Sequence, residues 1–207
     1  AAQIPAREMY VVQQPSFFEA ASAIIADTPL DTWKDYLTFQ TIDAFAPVLG
    51  DDYFQAWFEF NQAGLQGIEE PEAKWKRAVN AINGNMGELL GQLYVDKHYQ
   101  EDARARMETM IANLVEAYRQ SIENLEWMGE ETKQQALVKL SKFSPKIGYP
   151  ENWRDYSSME IVEGDLIANV KSAAQFEYKR NIDKLDRPVD KSEWFMNPQT
   201  VDRKSVV

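Results

Sequence analysis

The chain has 207 residues, 44% of them hydrophobic, which is too apolar for a disordered segment and enough for one large helical domain or two small ones. Acidic residues outnumber basic ones by 33 to 22, and the net charge of −11 repels phosphate backbones, so nucleic acid is excluded as a partner. The absence of cysteine rules out disulfides and thiolate metal sites and leaves the compartment open.

Residues 1–14 read as an extended lead-in. The opening AAQIPAREMYVV lacks the basic-then-apolar order of a secretory leader, and no later run approaches the roughly 20 apolar residues that a membrane span requires. Gln14-Pro15-Ser16 predicts a helix start, with Phe17, Ala20, Ala21, Ile24 and Ile25 at helical spacing. At Thr28-Pro29-Leu30-Asp31 the threonine is expected to cap the next helix and the proline to take its first position. That helix should bury Trp33, Tyr36, Leu37, Ile42 and Phe45 and be kinked or ended by Pro47. The segment 51–61 gathers Tyr53, Phe54, Trp57, Phe58 and Phe60 and reads as a core-facing helix rather than a ligand platform. Gly64 and Gly67 mark a loop, after which Glu70-Pro71-Glu72 opens a long buried helix carrying Trp75, Val79, Ile82, Met86, Leu89, Leu90, Leu93 and Tyr94. Gly84, Gly87 and Gly91 recur on one face of it, a pattern that lets another backbone approach closely, for which close helix packing is the usual reason and a hinge the less usual one.

From Gln100 onward, Met107, Met110, Ile111, Leu114, Tyr118, Ile122 and Leu125 form the most regular apolar stripe of the chain. A break at Gly129 starts the next helix, with Ala136, Leu137, Leu140 and Phe143 buried and Lys133, Lys139 and Lys142 solvated. So short a connection predicts antiparallel neighbours. Ser144-Pro145 ends that helix, and an aromatic loop over 147–156 leads to a last helix, from about Gly164 to Leu185, with Leu166, Val170, Ala173, Ala174 and Phe176 inward. The fold class is therefore all-α, a bundle-like domain of about seven helices with extended N- and C-terminal tails. The expected layout is a lead-in over 1–14, a helical domain over 15–186 and a tail over 187–207.

Chemistry is sparse. A single histidine, His98, cannot furnish an HExxH zinc helix, a His-based triad or a two-histidine metal site. Its spacing from Glu101 and Asp102 would bring one imidazole and two carboxylates to a helix end, yet a solvated histidine near a helix C-terminus explains it without metal. The acid pairs Asp51-Asp52, Glu69-Glu70 and Glu130-Glu131 sit at helix starts, where they complement the dipole. The basic run Lys74-Trp75-Lys76-Arg77 is offset by nearby acids and reads as a solvated face.

Several long blocks, in order, resemble the neprilysin family of zinc endopeptidases, especially its bacterial oligopeptidase O-like members: QPSFFEA, TPLDTWKDYL, KWKRAVNAINGNMGELLGQLYV, RMETMIANLVEAYRQSIENLEWM, the loop KIGYPENWRDY, and PVDKSEWFMNPQTV. They run from about Gln14 to Val201 and match the family's non-catalytic interior. The resemblance implies a lobe that roofs a substrate chamber and limits access to small peptides, in a periplasmic or extracellular enzyme. It also implies a zinc helix C-terminal to this section, so zinc is expected in the full-length parent and none in this chain. Peptides and the missing catalytic lobe would be the partners, and exposed lobe surface could support a homodimer. After Val201 the sequence departs from the family into Asp202-Arg203-Lys204-Ser205-Val206-Val207, where a substrate-binding segment would follow. No catalytic, cofactor-binding or metal residue of the family therefore carries over, and the isolated chain is expected to be inactive. A fragment or an interrupted reading frame explains the departure better than a free-standing protein that kept only the lobe. The alternative is a stand-alone helical module that binds a protein or peptide, without protease parentage.

Overall fold

The computed structural model describes residues 4–200, within which the regular structure is helical and no strand occurs. The helices are α1 (Pro15–Asp27), α2 (Leu30–Phe45), α3 (Asp51–Phe58), α4 (Lys74–His98), α5 (Glu101–Glu123), α6 (Glu130–Ser141) and α7 (Leu166–Ile182). None of the described helices is long and apolar enough to cross a membrane. The chain divides into two compact units, one formed by Ala1–Lys76 with Met159–Arg187 and the other by Arg77–Ser158 with Pro188–Val207. The last seven residues of the tail lie outside the described residues.

In the first unit, Thr28 does not cap α2. Because it precedes proline it is held extended (φ −83°, ψ 130°), and its N–H closes the end of α1 on the Ile24 carbonyl. Pro29 takes the N-cap place instead, its carbonyl accepting from Trp33 N at 3.2 Å. Pro47 acts as expected: α2 stops at Phe45 and tightens into a 3₁₀ turn over Ala46–Val48. Helix α3 widens at its end into a π turn, Glu59–Gly64, where Asn61 Nδ2 donates to the Trp57 carbonyl at 3.2 Å. The loop beyond turns on Gly67, whose φ of +70° suits glycine.

The buried apolar positions of this unit are Ala46, Phe54, Phe58 and Ala173, with the Phe54 and Phe58 rings stacked at 6.3 Å. Helices α1 and α2 bury no residue, contrary to the burial expected for α2: Tyr36, Leu37 and Ile42 are exposed and Trp33 is half-buried. Their apolar periodicity is real, but no element of the unit covers it. Asp165 caps α7 by accepting from Ala168 N at 2.8 Å, and Asn169 locks the preceding loop through reciprocal bonds with the backbone of Val162. Arg7 pairs with Asp186 at 2.5 Å, which joins the lead-in to the segment after α7, and Lys74 pairs with Asp51 at 3.1 Å, which joins the first residues of α4 and α3.

In the second unit, α5 and α6 pack as a hairpin. Lys133 donates to the Glu123 carbonyl at 3.0 Å and so meets the negative end of α5. The predicted stripe of α5 is only half covered, since Met107, Met110, Leu114 and Tyr118 remain exposed.

Candidate functional site

The second half of α4 is where the parts of the second unit converge. The sequence predicts a long helix buried by its apolar residues, yet Trp75, Val79, Ile82, Leu89, Leu93 and Tyr94 are all exposed. The buried positions of α4 are Gly87, Glu88 and Gly91. The helix is also broken: Met86 has φ −137° and ψ 38°, well outside the helical region.

Glu88 is 6% exposed, an unusual place for a carboxylate unless it is paired. Both of its oxygens are occupied by one residue of the aromatic loop. Oε2 accepts from Arg154 N at 2.8 Å, and Oε1 lies 3.1 Å from Arg154 Nη2. The Arg154 guanidinium also lies 5.8 Å from the ring centre of Tyr156, itself buried. Around this anchor the loop is packed by its own rings and their neighbours. Tyr149 and Trp153 stack almost parallel at 5.9 Å, Tyr99 meets Tyr149 edge-on at 5.3 Å, and Arg104 lies 5.0 Å from the Tyr149 ring. Gly148 is required here twice over, by its φ of +78° and by Tyr99, whose ring fills the space a Cβ would need. Asp155 accepts from Ser157 N at 2.8 Å, and that bond, with one to the Ser157 side chain, holds its carboxyl below the usual carboxylate range.

The tail docks on the same turns of α4. Gln199 Nε2 donates to Asn83 Oδ1 at 2.5 Å and to the Gly87 carbonyl at 3.0 Å, while Asn197 Nδ2 lies 3.4 Å from Asn83 Oδ1. The glycine face thus admits another stretch of chain closely, as the spacing predicted, but that stretch is coil and not a second helix. A Cβ at Gly87 would overlap the Asn197 side chain and one at Gly91 would lie 2.8 Å from Pro198 Cδ, whereas Gly84 meets nothing within 4 Å. Lys146 donates to the Glu193 carbonyl and stands 5.7 Å from the Phe195 ring, a second tie between loop and tail.

A separate apolar groove of about 830 Å³ runs along the α5–α6 hairpin, walled by Leu114, Tyr118, Leu140 and Phe143 with Lys139 and Lys142 at its lip. His98 contributes to neither feature. It is exposed and tilted against Tyr94 at 5.2 Å, and Asp102 is engaged by Arg106 at 3.1 Å. Among the described residues no three His, Cys, Asp or Glu side chains gather as metal ligands.

The model of the N-terminal region of peptidase family M13 matches residues 1–150. The chain belongs to peptidase family M13. It is 35% identical over 191 residues to the neutral endopeptidase of Lactobacillus helveticus, covering 91% of this chain and 29% of that protein. To human neprilysin it is 26% identical over 202 residues, covering 94% of this chain and 27% of the relative. Among solved structures it is similar to the Mycobacterium tuberculosis zinc metalloprotease in complex with an inhibitor, at 41% identity and a TM-score of 0.84, over 93% of this chain and 29% of that one. The M13 chain thus spans less than a third of the length of these relatives. Its α4, with the break and both glycines, falls inside the segment that the family model matches.

Proposed function

We propose that this chain is the non-catalytic helical lobe of a neprilysin-like zinc metalloendopeptidase, roofing the substrate chamber and restricting it to small peptides. The observation that carries this is the alignment of 93% of the chain, at a TM-score of 0.84, with 29% of a zinc metalloprotease. With one histidine in 207 residues the chain has no means of building an HExxH helix, so zinc and the water it activates would belong to the remainder of such an enzyme. Peptides and a catalytic lobe are the partners in this reading, and the compartment is periplasmic or extracellular. Support for a covering partner comes from α1 and α2, whose Phe17, Phe18, Ile25, Leu37 and Phe39 stand exposed in their own unit. In the absence of that partner a second copy would cover the same faces and give a homodimer. The expected domain layout is one helical lobe over 15–186 between a lead-in and a tail.

The test is direct. Purified chain is expected to show no chelator-sensitive peptide hydrolysis and no stoichiometric zinc by elemental analysis. Zinc-dependent turnover by homogeneous material would sink the assignment, and a mass in light scattering that stays monomeric at all concentrations would remove the homodimer.

A further inference from the structure

The break in α4 and the seat of the tail coincide. At Met86 the helical ladder is interrupted, and the amide of Gln199 reaches both sides of the interruption, to the Asn83 side chain before it and the Gly87 carbonyl after it. We infer that the face of α4 from Asn83 to Gly91 is a docking seat for the turn that begins Asn197-Pro198-Gln199, and that Gln199 is a positioning residue splinting the break. The bend of α4 and the position of the tail up to Thr200 are then set together.

Each residue of the segment has a chemical reason to be there. A primary amide carries two N–H groups on one nitrogen and so serves two acceptors at once, which neither a carboxylate nor a hydroxyl can do. Pro198 brings no N–H that would lie unpaired against the helix, and its fixed φ suits the second position of the turn closed by Thr200 N on the Asn197 carbonyl at 2.9 Å. Glycine at 87 and 91 removes the side chains that would hold the turn away, while Gly84, on the far side of the break, borders open space. The seat needs no catalytic lobe, so it stands or falls apart from the function proposed above.

The experiment uses the whole 207-residue chain and reads amide hydrogen exchange in two segments, 84–91 of α4 and 194–200 of the tail. In Gln199→Glu a carboxylate faces two acceptor oxygens. At neutral pH both segments are expected to exchange at least tenfold faster than in the parent at the same pH. Lowering the pH until the carboxyl protonates restores one donor, and protection is expected to return in both segments. Gly91→Ala, which drives a methyl into Pro198, should give the same paired loss, while Gly84→Ala should give none. Loss of protection in the tail with 84–91 unchanged overturns the inference, as does protection unchanged in both. If Gly91→Ala does not fold, the reversible pH titration of Gln199→Glu decides alone.

Discussion

Phe54 and Phe58 anchor the first unit at 8% and 3% exposure, two aromatic rings on successive turns of one helix. In the second unit the buried apolar side chains among the described residues are Pro150 and Tyr156, and the buried positions of α4 are two glycines and a carboxylate. One unit is held where apolar surface leaves water. The other is held where backbone comes close to helix and a buried charge finds its counterion. Apolar burial is non-directional and tolerates sliding, whereas an ion pair and a glycine notch fix register. The second arrangement suits a region that must hold a loop and a tail at fixed places on one helix.

The sharpest way to break this contrast is to remove an anchor from each unit. Phe58→Ala should cost about 4 kcal/mol, the usual loss for a buried phenylalanine, read as a shift in urea midpoint and confined to the first unit by segment-resolved exchange. Glu88→Ala should cost about 3 kcal/mol by removing the buried carboxylate that pairs with the Arg154 guanidinium and accepts from its N–H. The double change Glu88→Met with Arg154→Met should recover most of that loss, because two apolar side chains of similar volume leave no charge stranded. Failure to recover would mean that the backbone bond to Arg154 N matters more than the charges.

Smaller effects sharpen the role of the glycines. Gly84→Ala should stabilise the chain by about 0.8 kcal/mol through helix propensity, since a methyl there meets nothing within 4 Å. Gly91→Ala carries the same propensity gain and should nonetheless destabilise, and equal midpoints for the two variants would refute the notch. The smallest change concerns the exposed face of α5. Hydrogen bonds from Arg119, then Gln120, hold the Glu116 carboxyl at about 2, against an ordinary value of 4.5. A depressed carboxylate contributes stability above its unfolded value and loses it as pH falls through the folded one. The difference in stability between parent and Glu116→Gln should therefore shrink from about pH 4.5 downward, as pH falls toward and through about 2. A difference that does not change with pH across this range would contradict the pairing.

Much of this could be read from residue order. The seven helices, their sequence, the stop at Pro47 and the α5–α6 hairpin all follow from local rules of spacing, proline and connection length. Burial did not follow, because a 3.6-residue apolar period identifies a face that needs cover without saying whether this chain supplies it. Tyr36, Leu37 and Leu93 are such uncovered positions. The glycine face of α4 was visible as a pattern, but its occupant was a coil 112 residues away, and coils leave no periodic trace. Nor does the pairing of Glu88 with Arg154, 66 positions apart, since both residues look like ordinary surface charges until the loop closes.

Trp153 immediately precedes the arginine that pairs with Glu88, and its indole lies nearly parallel to the Tyr149 ring, at 3°. Two chromophores locked face to face beside a buried charge make a built-in optical gauge. Coupled aromatic transitions in the near-ultraviolet dichroism would fade when the loop lets go of α4, while the helical far-ultraviolet bands persist, so detachment and unfolding can be told apart in one cuvette.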